Sequence, residues 1–208
     1  MNYEILIAFS LATLALAISP GPDNIFVMTQ SIARGKKYGL ATVAGLMTGC
    51  LVHTSLLAFG VSALIKANDA LFTAIKVFGA LYLVYLAYKV FKSDDQIHLT
   101  TQKTTGSSLL GLYKIGFTMN VLNPKVTIFF LAFFPGFLFS DTLNTVVQFY
   151  ILGFLFIVVS SFIFGSIAVL AGSISGYITR NTKAGPFLKW MQIVVFLSIA
   201  IYLLLSDK

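Results

Sequence analysis

Apolar residues fall into six long blocks separated by short polar stretches. A transmembrane helix needs about 20 apolar residues at ~1.5 Å rise each. The blocks cover about 4–33, 38–66, 70–91, 108–139, 141–172 and 187–205. The pattern predicts an all-α integral membrane protein with six transmembrane helices. A five-span arrangement, with one block re-entering the membrane, also fits. The longest polar run, 93–107, is a linker and too short for a soluble domain. The chain thus reads as one transmembrane domain, 1–208, with repeat one over about 1–92 and repeat two over about 108–208.

Blocks one and four are unusually long, and proline interrupts both near the middle. The first holds Ser19-Pro20-Gly21-Pro22-Asp23-Asn24, the second Asn120-Val121-Leu122-Asn123-Pro124-Lys125. Proline lacks an N–H and clashes with the preceding turn, so both helices are expected to break. Pro20, Gly21 and Pro22 should break the first outright. Pro22 and Pro124 suit the first position of a new half-helix, and Asn123 suits its N-cap. Three spans per half is an odd number, so the halves must run in opposite senses. Matching broken helices in two such halves are the mark of a 3+3 inverted repeat.

Composition agrees with the pattern. Charged residues make up 10% of the chain and apolar ones 58%, against roughly 25% charged in a soluble domain. The net charge of +7 does not point to nucleic acid, because the cations cluster in loops between apolar blocks. Arg34, Lys36 and Lys37 flank the first loop, Lys89, Lys92, Lys103 and Lys114 the third, and Arg180, Lys183 and Lys189 the fifth. The other side holds Lys66, Lys76 and Lys208. The positive-inside rule puts the odd-numbered loops in the cytoplasm and both termini outside. The first block lacks the basic n-region of a signal peptide and is expected to be a retained helix. Cys50 is the only cysteine, which rules out an intrachain disulfide.

Asp23 and Lys125 are the two charges deep inside apolar blocks. A charge at the bilayer centre costs about 2.5–3.5 kcal/mol, so both are candidates for function. A helix start exposes N–H groups and about half a positive charge, and it binds anions. Two such starts facing one volume suit a substrate carboxylate, and unwound carbonyls beside them suit an ammonium group. Asp23, Asn24, Asn120, Asn123 and Lys125 are therefore the candidate substrate-binding residues. Asp23 fits the dipole of its half-helix, whereas Lys125 opposes its own. Lys125 thus needs an outside partner, either Asp23 or a substrate carboxylate. As the deepest acid, Asp23 is also the candidate proton carrier; permanent ionisation beside Lys125 is the alternative.

Other signals are weaker. Gly45-x-x-x-Gly49 and Gly172-x-x-x-Gly176 fit small-residue helix packing, within one chain or between two copies as a homodimer. His53 reads as a hydrogen-bonded packing residue. Trp190, Tyr38 and Tyr177 are expected at the membrane interfaces. No cluster of metal ligands, nucleophile–base pair or Walker pattern is legible, so neither an enzyme nor a cofactor is expected.

The two proline motifs, Arg34-Gly35-Lys36-Lys37-Tyr38-Gly39 after the first and Phe129-Phe130 after the second, resemble those of the LysE/RhtB family of bacterial amino-acid exporters. The likeness covers essentially the whole chain. It implies a multi-pass secondary transporter of the bacterial cytoplasmic (inner) membrane, exporting amino acids or close derivatives by proton antiport. Family cargoes range from lysine and arginine to threonine, homoserine, homoserine lactone, leucine and cysteine derivatives. A dibasic cargo would need a second buried anion beside Asp23, so a neutral amino acid such as threonine, homoserine or leucine is expected. A passive channel for small polar solutes is the rival reading.

Overall fold

The computed structural model describes residues 2–62, 69–93, 108–181 and 183–205, and these form helices joined by short turns, with no strand. In chain order the helices are α1 (Tyr3–Ile18), α2 (Pro22–Arg34), α3 (Lys36–Leu56), α4 (Asp69–Lys92), α5 (Leu109–Val121), α6 (Pro124–Phe133), α7 (Thr145–Arg180) and α8 (Ala184–Leu205). A π turn over Leu57–Val61 prolongs α3, and a 3-10 turn over Phe134–Phe137 prolongs α6. The far end of the second expected span, at Lys66, lies outside the described residues, as does the polar linker from residue 94. Lys103, Lys208 and the acids Asp94, Asp95 and Asp207 lie there too.

The stretches containing α3, α4, α7 and α8 are each long and apolar enough to cross a membrane. The pairs α1–α2 and α5–α6 pass the same test only jointly, and they bend by 59° and 53° at their breaks. Both broken helices of the sequence reading are thus present. Helix α7 departs from expectation: it runs past Gly172 to Arg180. Glycine costs a helix interior about 1 kcal/mol but does not end it without a left-handed turn or a following proline. Gly35 supplies such a turn between α2 and α3, with φ of +96°.

Close helix approach sets the packing around the breaks. A Cβ on Gly45 would run into the Tyr113 carbonyl, and one on Gly116 into the Thr42 carbonyl, so α3 and α5 meet backbone to backbone. Gly49 leaves room for the Asn120 side chain. The first glycine pair therefore packs within the chain. At the second pair no close helix approach calls for glycine: a Cβ on Gly172 or Gly176 would meet nothing within 4 Å.

Phenylalanines fill the region between α1 and α6. Phe129 stacks on Phe133 at 4.3 Å, Phe130 on Phe134 at 4.2 Å, and Phe9 on Phe133 at 5.5 Å. Such pairs contribute about 0.5–1.5 kcal/mol each beyond area burial. Lipid tails are as apolar as these rings, so tight packing rather than water exclusion holds them. Buried Gln148 ties down the turn between α6 and α7. Its Oε1 accepts from the Phe139 and Ser140 N–H groups at 2.8 and 3.0 Å, and its Nε2 donates to the Ser140 and Leu143 carbonyls at 2.8 and 2.9 Å. Large apolar side chains face outward along the helices, including Leu11, Phe59, Phe78, Phe154 and Phe162. This is the surface a lipid-embedded bundle presents.

Candidate functional site

The two helix breaks meet. In the first, Pro22 opens α2 behind Gly21, which has no side chain to cap the helix. The first N–H groups of α2 are therefore left for other partners. In the second, Asn123 caps α6 by accepting from the Lys125 N–H through Oδ1 at 3.0 Å, and Pro124 follows it. The same amide reaches across: Asn123 Nδ2 donates to Asp23 Oδ2 at 3.2 Å.

Lys125 also leans towards the opposite break. A Cβ built on Gly21 would lie 3.6 Å from its Nζ, an ordinary van der Waals separation that puts the ammonium beside the first break. Its other neighbour is the Phe196 ring of α8, 5.0 Å from Nζ. Among the described residues no ion pair joins Asp23 to Lys125; Asn123 links the two residues instead.

One cavity of about 60 Å³ lies between the breaks, enough for ordered water or a small polar group. Asp23, Asn24, Asn120, Asn123 and Lys125 all line it, together with Gly21 and Pro22. Pro20 lines a neighbouring apolar groove instead, and Pro124 lines neither. Asn24 is largely committed to the backbone: its Nδ2 donates to Ala17 O at 2.8 Å, a carbonyl freed where α1 ends. The Asn120 carbonyl takes the Asn123 N–H and lies 3.1 Å from His53 Nε2. Its side-chain Nδ2 donates to Cys50 Sγ at 3.6 Å. His53 thus packs against the site without entering the cavity lining.

Several lining residues escape sequence reasoning. Ser19 and Ser160 are buried against the cavity, Cys50 lies beside Asn120, and Phe129, Phe156 and Phe164 supply aromatic walls. The one available signal for Ser160 is a polar pair, Ser160-Ser161, inside an otherwise apolar stretch. Among the described residues no group of three His, Cys, Asp or Glu side chains could hold a metal ion.

Comparison with known proteins meets this geometry from another direction. The family model described as LysE type translocator matches residues 14–207. The chain belongs to the LysE type translocator family. Relatives within that family include the homoserine/homoserine lactone efflux protein of Salmonella typhimurium, 33% identical over 178 residues, covering 86% of this chain and 85% of the relative. The leucine efflux protein of Klebsiella pneumoniae is 30% identical over 188 residues, covering 88% and 83% respectively. An uncharacterized membrane protein of Vibrio cholerae is 27% identical over 179 residues, 86% of each chain. No solved structure matches this LysE-type chain.

Proposed function

We propose that this LysE-type chain is a secondary active efflux transporter for neutral amino acids, driven by proton antiport across a bacterial inner membrane. The observation that carries the reading is a cavity shared by the two helix breaks and lined by one carboxylate, Asp23, which Asn123 holds by a hydrogen bond, and one ammonium, Lys125. Such a site matches a zwitterion. The cargo's α-carboxylate takes Lys125 and the bare N-terminus of α2. Its α-ammonium takes Asp23 and nearby unwound carbonyls. Asp23 also exchanges the coupling proton. The relatives' names, homoserine and leucine efflux, support a neutral cargo.

The two halves rock about this site in alternating access, with the loops of Arg34, Lys92 and Arg180 on the cytoplasmic side. The aromatic column from Phe129 through Phe133 to Phe9 supports a gated path over an open pore, because it packs the space between α1 and α6. The test is counterflow in proteoliposomes under an imposed pH gradient. The transporter gives saturable flux that follows the gradient, and Lys125→Ala abolishes it while insertion persists. Linear, unsaturable flux would establish the channel instead.

A further inference from the structure

Three residues that line the cavity each carry a buried polar atom without a partner. These atoms are the Ser160 hydroxyl of α7, the Ser19 hydroxyl at the end of α1, and Asn120 Oδ1 of α5. Ser19 and Ser160 are each 1% exposed and Asn120 4%. A buried polar atom left unpaired is costly, and native proteins carry few. Other serines in these helices, Ser166 and Ser10 among them, avoid the cost by bonding their own backbone. Ser166, on the same helix as Ser160, donates to Phe162 O at 2.7 Å, and Ser10 donates to Leu6 O at 2.7 Å. Ser160 makes no such bond. Thr13, Thr29, Ser31 and Ser62 also hold unpartnered hydroxyls, but none of them lines this cavity.

The chemistry of the three atoms selects what would satisfy them. Asn120 Oδ1 only accepts, so it needs a donor; the serine hydroxyls donate and accept. A cargo hydroxyl supplies both in one atom, donating to Asn120 and accepting from a serine. A wholly apolar cargo side chain would leave all three unpaired. The charged ends of the cargo are already assigned to Asp23 and Lys125.

We propose that Ser160, Ser19 and Asn120 form a hydroxyl-reading subsite, and that the preferred cargo is a small neutral amino acid carrying a side-chain hydroxyl. The proposal rests on the amino-acid export reading. A site built to bond a hydroxyl discriminates strongly against the analogue that lacks it, whereas a methylene difference is weakly read.

The full chain in proteoliposomes is given homoserine, 2-aminobutyrate (the same skeleton without the hydroxyl) and leucine. Wild type should half-saturate with homoserine at a concentration about tenfold lower than with 2-aminobutyrate. Ser160→Ala should remove that preference by raising the homoserine value alone, and Ser160→Thr should restore it. Equal half-saturation of the two cargoes in wild type overturns the subsite while leaving export intact. So does a Ser160→Ala variant that keeps the preference, or that slows both cargoes alike. Absence of saturable flux for all three amino acids overturns the export reading and the subsite with it. If Ser160→Ala fails to insert, the wild-type ratio and Ser19→Ala decide the matter by the same criteria.

Discussion

Asn123 and Asp23 lie on different helix breaks, 100 positions apart, and are joined by a 3.2 Å hydrogen bond from Nδ2 to Oδ2. The other end of the Asn123 amide caps α6. One side chain thus starts a half-helix and ties it to the opposing half. Asp at position 123 keeps the capping oxygen but replaces the donor with a second carboxylate facing Asp23. Asn123→Asp should therefore lose export as fully as Asn123→Ala. Only Asn123→Ala should lose the cap, lowering stability by about 1 kcal/mol. Parallel thermal melts in detergent and transport assays separate the two jobs.

Asp23→Asn retains the shape of the site and removes the exchangeable proton. Exchange of cargo across the membrane should persist in this variant at raised cargo concentration, because the ammonium keeps only the unwound carbonyls, while accumulation driven by a pH gradient should vanish. Radiolabelled counterflow with and without the gradient reads both. Gradient-driven accumulation in Asp23→Asn would take the proton away from this residue.

Helix α3 touches α5 through glycine, so bulk there is expensive. Gly45→Ala pushes a methyl into the Tyr113 carbonyl and should cost about 1–3 kcal/mol. Gly172→Ala meets open space inside α7 and should raise stability by up to about 1 kcal/mol. Unfolding followed by tryptophan fluorescence or thermal melting distinguishes the pair.

Gln148→Leu removes the bonds that hold the turn after α6, leaving the Phe139 and Ser140 N–H groups without their acceptor. The expected loss is about 2 kcal/mol. It should appear as a lowered melting temperature with unchanged cargo affinity, since Gln148 does not line the cavity.

Much of this architecture is legible in the sequence because proline acts locally. Pro20-Gly21-Pro22 and Asn123-Pro124 carry their own instructions for ending one helix and starting the next, and both breaks lie where those residues predict. The end of α7 was not legible from Gly172, because glycine weakens a helix without stopping it. Partnerships across the fold were less accessible still. Nothing local says that Asn24 bonds the Ala17 carbonyl, or that Asn123 rather than Lys125 meets Asp23. Ser160 was invisible because serines in apolar helices usually bond the preceding turn, as Ser166 does, and only the tertiary structure shows that this one does not.

Asp23, Lys125 and the bare start of α2 line one chamber. The most direct measurement is competition by unlabelled compounds against uptake of a radiolabelled neutral amino acid in proteoliposomes. The unlabelled parent amino acid in saturating amount should lower that uptake severalfold, while the same compound with its carboxylate amidated, or its amine removed, should compete little. Equal competition by all three, or none by any, would contradict a chamber built for a zwitterion.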